Sequence, residues 1–512
     1  MGRLACARAH VGLLAWVALA GAGPDASDVC AAGACAAGAA GDGWLADETI
    51  SGMSLLQSMQ GRSHAGKAPP KHLWTNRANG RAASSSVSYT ALADLPATPS
   101  WTWANEMGEQ VRHSPLIDAD KSVYICTTSR IRKFDADGRA LWTRHDPLWS
   151  IRTAPALYNR SLYVLTDGFE PYVDGVDKKH VLPTLTALAL DSGKASWSRP
   201  LGELHRGLDA QGMLISDDKV IFGRREYVLD GTDTVVVVSA VDGALLWDYT
   251  TDEVLWNFSP ASPEDGSVMF SGSCGGVYRL GATGGLLWRA GPHTRWAMCS
   301  NGGGALGPDG MYYATWAEKD VKGIKLAAYA VADGALGWTR ELPYEATNYP
   351  AVGRLGPGGP LAVVVGVGDW IMAPSFNASM EKEHLQRHGG SLRNWVVAID
   401  AGTGSTLWTS EERRWWDAAA AGERDWHNFI DGPICLPDAQ AIPVIAGDGT
   451  VYAASGHSGD LRAIRDKDGD GVIGPLDVST FKANKCFLNS PSLAPGMLVA
   501  APCWGPAYVF KA

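Results

Sequence analysis

From Trp101 to the C-terminus, short apolar or alternating runs are separated by Gly, Asp, Asn and Pro. That texture predicts β-strands joined by tight turns rather than helices. A unit recurs within it, from a Pro or Gly turn through a strand and an Asp/Gly turn to a final strand ending in Gly-x-x-x-Trp. The endings are Gly138 to Trp142, Gly193 to Trp197, Gly243 to Trp247, Gly284 to Trp288, Gly334 to Trp338 and Gly404 to Trp408, with successive Trp 55, 50, 41, 50 and 70 residues apart. The openings are Ser114-Pro115, Ala154-Pro155, Gly212-Met213, Ser259-Pro260, Asn301-Gly302, Tyr349-Pro350, Gly432-Pro433 and Ser490-Pro491, which makes eight units. Four strands of five or six residues plus turns fill a unit of about 51 residues, and a period of this size predicts a propeller blade. The last unit stops at Phe510-Lys511-Ala512 without a Trp strand, while Trp101-Thr102-Trp103 precedes the first opening. The N-terminal strand is therefore expected to complete the C-terminal blade and remove the free sheet edges of an open array. The expected fold is all-β, an eight-bladed propeller over residues 97–512.

Ahead of the repeats the pattern is different. Residues 1–23 read as a secretory signal peptide, with Arg3 and Arg8 before the apolar run Val11 to Ala20 and small residues around Ala18, Ala20 and Ala22. Residues 24–96 are rich in Ala, Gly and Ser without sustained periodicity, and read as a disordered linker or pro-segment. Within it Leu45 to Met59 is a candidate short helix. No later run is long enough to span a bilayer, so a secreted, soluble mature chain is expected.

Composition adds little to the fold and something to the partners. Gly is 60 and Trp 21 of 512 residues, which fits turns and large buried rings, and 46% hydrophobic residues supply a core. Formal net charge is −10, which gives no basic surface for nucleic acid. Removal of Cys6 with the signal leaves eight cysteines: Cys30, Cys35, Cys126, Cys274, Cys299, Cys435, Cys486 and Cys503. An even number in a secreted chain permits disulfides, with Cys274–Cys299 and Cys435 to Cys486 or Cys503 as candidate pairs and buried thiols as the alternative. Asn159-Arg160-Ser161 and Asn377-Ala378-Ser379 are glycosylation sequons of the same route.

The strongest repeat is Ala398-Ile399-Asp400-Ala401-Gly402-Thr403-Gly404-Ser405-Thr406-Leu407-Trp408. It resembles the A-x-D-x-x-T-G-x-x-x-W tryptophan-docking motif of quinoprotein-type (PQQ-repeat) β-propellers. Ala189-Leu190-Asp191-Ser192-Gly193 is a shorter version, and Asp137-Gly138, Asp242-Gly243 and Asp333-Gly334 keep a reduced form. The resemblance covers about residues 100–512. It implies that Trp142, Trp197, Trp247, Trp288, Trp338 and Trp408 pack on the peptide plane of the neighbouring blade. The resembled family includes PQQ-dependent dehydrogenases and non-enzymatic scaffolds, and fold does not choose between them. The vicinal cysteines of the alcohol-dehydrogenase branch and the C-x-x-C-H of haem-bearing members are absent from this sequence. No catalytic residue carries over.

Residues just before each opening are expected to line one mouth of the central channel: Arg112, His113, Arg152, Trp256, Asn257, Arg295, Trp296, Asn348, His427, Asn428 and Asn489. Arginines among Asn and Trp suit a planar anion or a sugar, through forked hydrogen bonds and stacking. The alternative is that these side chains satisfy turn backbone groups.

A second motif, Asp466-Lys467-Asp468-Gly469-Asp470-Gly471-Val472-Ile473-Gly474-Pro475-Leu476-Asp477, resembles the EF-hand calcium loop. Ca²⁺ takes six to eight hard oxygen ligands. Asp466, Asp468 and Asp470 stand at loop positions 1, 3 and 5, Gly471 at the sharp turn, Val472 as a carbonyl ligand, and Asp477 at the closing position. Asp in place of the closing Glu, Gly474 at position 9 and Pro475 at position 10 depart from the full pattern. Ser458 to Arg465 reads as a strand and Val478 to Ala483 as a short helix, which puts a strand-loop-helix site in the seventh blade. The expected affinity is weak, roughly 10⁻⁵ to 10⁻³ M.

Two insertions are less informative. His384 and His388 lie four apart in Glu381 to His388, a zinc-like spacing better read as a solvated helix. Trp415, Trp416, Trp426 and His427 lie in Glu411 to Phe429, as channel cap or blade packing. The sequence thus predicts a calcium-binding, monomeric, secreted propeller acting as a scaffold for a protein, small-molecule or carbohydrate ligand at the channel mouth. A PQQ- and calcium-dependent oxidoreductase is the alternative.

Overall fold

A computed structural model describes residues 70–512 apart from 106–108, 147–148, 167–181, 203–211, 225–232, 256–257, 293–302, 318–323, 347, 370–382, 384 and 424–438. The expected signal peptide, linker residues 24–69 and the helix at Leu45 to Met59 lie outside the described residues. The described chain is almost entirely β, in eight antiparallel sheets that form the blades of a β-propeller.

The first strand, β1 (Trp101–Trp103), belongs to the last blade. Blade 1 follows as β2 (Leu116–Ile117), β3 (Val123–Cys126), β4 (Arg130–Phe134) and β5 (Ala140–His145). Blade 2 is β6 (Ala156–Tyr158), β7 (Ser161–Thr166), β8 (Thr184–Ala189) and β9 (Ala195–Pro200). Blade 3 is β10 (Leu214–Ser216), β11 (Lys219–Arg224), β12 (Thr234–Ser239) and β13 (Leu245–Thr250). Blade 4 is β14 (Val268–Ser271), β15 (Val277–Leu280) and β16 (Leu286–Ala290), with an Ala261–Met269 bridge in place of an inner strand. Blade 5 is β17 (Gly304–Leu306), β18 (Met311–Ala317), β19 (Ile324–Ala330) and β20 (Leu336–Glu341). Blade 6 is β21 (Ala351–Arg354), β22 (Leu361–Gly368), β23 (Asn394–Asp400) and β24 (Thr406–Glu411). Blade 7 is β25 (Val444–Ile445), β26 (Val451–Ala454), β27 (Asp460–Ile464) and β28 (Val478–Lys482). Blade 8 is β29 (Ser492–Ala494), β30 (Met497–Ala500) and β31 (Ala507–Lys511).

The ring closes as the sequence predicts: β1 pairs antiparallel with β31, Trp101 opposite Val509 and Trp103 opposite Ala507. The two middle strands of a blade are buried on both faces, which explains their continuous apolar runs. Outer strands such as β5 and β13 alternate with solvent.

Tryptophan docking follows a fixed rule. In blades 1 to 6 the ladder between third and outer strands slips by one residue just before the Trp. A bulge of this kind re-aims the side chain that follows it. The rings of blades 1 to 5, together with Trp101, each then cover a left-handed glycine of the next blade. A β-carbon would come within 2.7 Å of the Trp101 ring at Gly138, 2.8 Å of Trp142 at Gly193, 3.0 Å of Trp197 at Gly243, 2.8 Å of Trp247 at Gly284, 2.7 Å of Trp288 at Gly334 and 2.9 Å of Trp338 at Gly404. The indole N–H of Trp142, Trp247, Trp288 and Trp338 donates to a backbone carbonyl of the next blade at 3.0, 3.0, 3.0 and 2.8 Å. Trp101 does the same to Ala136 at 3.0 Å, so it is the docking tryptophan of blade 8.

Four expectations are corrected. Blade 7 starts its inner strand at Val444, after Pro443, whereas Gly432-Pro433 lies outside the described residues. Val478 to Ala483 is not a helix: Val478–Lys482 is the outer strand of blade 7, because its residues complete the ladder with β27. Cys486 is a buried thiol, like Cys126, which removes it as a disulfide partner for Cys435.

The fourth correction concerns the linker. Residues 70–96 are a strap docked on the propeller. Trp74 is fully buried, and Leu92 and Leu95 are buried at the other end. Between these anchors the strap visits each blade in turn. It accepts the backbone N–H of Ile117 (at Trp74), Leu157 (Thr75), Ser262 (Arg81), Leu306 (Ala82), Val352 (Ser84), Ile445 (Ser85) and Gly496 (Thr90), at 2.7–3.1 Å. Blade 3 is reached by Arg81, whose guanidinium donates to Asp217 at 3.1 Å. These donors sit on or just beyond the inner strands, whose outward edges would otherwise face the channel unpaired.

Candidate functional site

Blade 7 departs from the other blades where its third strand turns into its outer strand. The calcium-like loop, residues 466–477, fills this turn, where blades 1 to 6 carry the glycine that receives a tryptophan. Trp408 of blade 6 is buried in a cluster with Ile464, and Leu407, Ile473 and Val478 pack against that cluster. Gly471 lies against the Leu407 carbonyl. The ladder of β27 with β28 runs without a bulge and sets Ser479 opposite Ala463. Toward blade 8, Phe481 takes the docking role by meeting Tyr508 and Phe510 edge-on, at 4.9 and 5.0 Å between ring centroids.

Within the loop, Asp466, Asp468 and Asp470 each place a carboxylate oxygen within 4.8 Å of the others. The loop's own amides hold them there. Asp466 accepts Gly469 N–H at 2.8 Å and Gly471 N–H at 3.0 Å, and Asp470 accepts Val472 N–H at 2.7 Å. Gly469 and Gly471 supply the left-handed backbone, with φ of 76° and 78°. Asp477 is not in that group. Its two oxygens accept the N–H of Lys467 at 3.0 Å and of Gly474 at 2.8 Å, and these bonds hold the carboxyl below the usual range. Asp477 thus closes the loop through its backbone. Val472 has an exposed side chain (65%), as a residue offering only its carbonyl would. Three carboxylates this close repel unless a cation lies between them, so the donor set fits a hard divalent ion.

The mouth residues fall into two sets. Trp256, Asn257, Arg295, Trp296, His427 and Asn428 lie outside the described residues. Of the rest, His113, Asn348 and Asn489 are buried and reach across blade boundaries to backbone carbonyls. His113 Nε2 lies 3.1 Å from Ile151 O, Asn348 donates to Gln440 O at 2.6 Å, and Asn489 donates to Val111 O at 2.8 Å. Burial, with Arg77 and Arg112 nearby, lowers the His113 pKa to about 3, so its ring is neutral. Arg112 donates to Gln110 at 2.6 Å, and Arg152 is half-buried. The three buried side chains therefore stitch blades together.

Two buried carboxyls were not singled out by any motif. Glu412, at the end of β24, accepts from Ser458 and from Gln440 (3.0 Å), and burial raises it to about 7 against the pull of Arg462. Glu253 accepts from Arg289 at 2.8 Å and is likewise raised by burial to about 7. In the histidine insertion, His388 faces Asp369 at 3.2 Å and His384 lies outside the described residues. Trp415 forms an antiparallel bridge with Leu392 and donates to Ala419 O at 2.9 Å, which is packing on blade 6, and Trp416 is exposed.

The docking rule and the eight blades define a PQQ-repeat β-propeller. The family model described as outer membrane protein assembly factor BamB (PQQ_2) matches residues 62–222 and 182–380, and the chain belongs to that family. No curated protein matches the sequence. Among solved structures, BamB from Moraxella catarrhalis is 17% identical, with TM-score 0.51 over 81% of this chain and 97% of that one. The quinohemoprotein alcohol dehydrogenase of Comamonas testosteroni is 13% identical, with TM-score 0.54 over 88% of this chain and 81% of that one. A europium-containing methanol dehydrogenase is 11% identical, with TM-score 0.55 over 86% and 98%. At these identities the likeness is one of fold. Among the described residues no helix is long and apolar enough to cross a membrane.

Proposed function

We propose that the chain is a calcium-binding, secreted propeller that serves as a binding scaffold rather than a quinone enzyme. The observation that carries this reading is the convergence of Asp466, Asp468 and Asp470 within 4.8 Å, in a loop that stands where other blades carry their docking glycine. There the ion would brace the contact between blades 6 and 7, with Val472 offering its carbonyl. The scaffold half is supported by the family description and by the use of His113, Asn348 and Asn489 as inter-blade ties. The ligand would be a protein, small molecule or carbohydrate at the channel mouth, and the chain a monomer. Two disulfides, Cys274–Cys299 and Cys435–Cys503, complete the proposal; the bonded sulfurs of Cys274 and Cys503 support it.

Calorimetry of the full chain against Asp466→Ala/Asp468→Ala tests the metal. One Ca²⁺-binding event, lost in the variant, is expected, and equal heats would remove the site. The alternative of a PQQ- and calcium-dependent oxidoreductase draws on the neighbours with quinohemoprotein titles. Incubation with PQQ and Ca²⁺, followed by desalting, is expected to leave no quinone absorbance and no dye reduction. Retained quinone with dye reduction would replace the scaffold reading.

A further inference from the structure

We propose that the inner edges of the blades form a recognition site for a polypeptide segment held by its backbone, and that residues 70–96 of this chain are its resident, displaceable occupant. The contact combines backbone bonds to the inner strands with side-chain bonds from Arg81 to Asp217 and Ser262 and from Tyr89 to Leu493. Six blades each give one N–H to a strap carbonyl and blade 7 gives two, from Ile445 and Gly447, as strand edges do when they take up an added strand. What such a site selects is a segment whose small side chains let its backbone approach the inner strands, and the strap has them: Ala82, Ala83, Ser84, Ser85, Ser86 and Ser88.

The receiving surface is cut to that shape. A β-carbon at Gly447 would strike the backbone of Ser88, and one at Gly353 would lie 3.0 Å from the Ser86 side chain. No positive φ accounts for either glycine, so close approach of the strap does.

The strap is also held under strain. Asn79, Ala83 and Ser85 have φ of 55°, 48° and 47°, a left-handed backbone that an alanine or a serine adopts only at a cost. Such strain persists only while surrounding contacts enforce it, and it collects at switch segments. Burial runs along the strap through Asn76, Arg77, Ala78, Ala83 and Ser85, but its large buried apolar side chains stand only at the ends, Trp74 on one side and Leu92 and Leu95 on the other. Beside the middle runs a cleft of about 870 Å³, bordered by Ser84, Ser86, Ser88, Leu306, Val352 and Ile445. A partner segment of like chemistry, entering along this cleft, would take the place of the strap on the inner strands.

The probe is a fluorescent synthetic peptide of residues 70–96, added to the full chain. Trp74→Ala/Leu92→Ala, which loosens both anchors, is expected to bind it saturably and at least tenfold more tightly than the unmodified chain does. Adding Gly447→Ala should abolish that binding, because the β-carbon blocks the backbone path. A variant with native near-UV circular dichroism that takes up no peptide overturns the proposal, as does binding that survives Gly447→Ala. Should the double variant fail to fold, hydrogen exchange of the unmodified chain decides. The amides of Leu306, Val352, Ile445 and Gly496 are expected to exchange together, at least tenfold faster than those between β22 and β23. Exchange of both sets only in the global unfolding event overturns the proposal.

Discussion

The docking contact is decided by single atoms. At Gly334 a new β-carbon would meet the Trp288 ring at 2.7 Å and also force a left-handed backbone on alanine. Overpacking and backbone strain add, and Gly334→Ala is expected to cost about 3 kcal/mol in urea unfolding. Gly358 has a similar φ of 74° and open space around it, so Gly358→Ala should lose only about 1 kcal/mol. Equal losses would mean that the ring contact contributes nothing. The buried carboxyls make a second residue-level prediction. Glu253 and Glu412 keep their protons in the folded chain up to about pH 7, while an exposed carboxyl releases its own near 4.5. The folded state binds more protons across that window, so stability is highest below it and falls as pH rises toward 7. Urea midpoints between these limits should show the fall, and Glu253→Gln with Glu412→Gln should flatten it.

At the scale of elements, the chain ends and the seventh blade carry what the repeat alone cannot. β1 is three residues long, yet it supplies the ring of Trp101 to Gly138 and thereby joins blade 8 to blade 1. Trp101→Ala is expected to cost about 3–5 kcal/mol, as loss of a packed Trp does, whereas Trp416→Ala at 68% exposure should be near neutral in the same thermal scans. A comparable small loss at Trp101 would show that the ring is closed by other contacts. The sequence marks β1 as the missing strand but not Trp101 as a docking residue. In blade 8 the third strand lies at the C-terminus, so no glycine precedes Trp101 at the fixed spacing. The period likewise places the calcium loop in blade 7, but the apolar alternation of Val478 to Lys482 is too short to separate a strand from a helix. The ladder with β27 settles that assignment.

For the whole molecule, eight blades, their order and their closure were legible because six blades repeat the same turn and the same Trp and the remaining two keep the same spacing. The strap was not, since backbone pairing to one strand per blade imposes no side-chain period, and small residues read as linker. The mouth was half legible: position in the repeat marks His113, Asn348 and Asn489, but only geometry shows their bonds running to neighbouring blades. Blade 7 is where the ring lacks its usual Trp-on-glycine contacts on both sides, and the acidic loop stands at one of them. Ca²⁺ should therefore stabilise the assembled ring. The direct measurement is the thermal unfolding midpoint of the chelator-treated full chain, followed by Trp emission as Ca²⁺ is added. A rise that saturates at a free Ca²⁺ of roughly 10⁻⁵ to 10⁻³ M, and is lost in Asp466→Ala/Asp468→Ala, is the predicted result. A midpoint indifferent to Ca²⁺, or a rise that the double variant retains, would contradict the account.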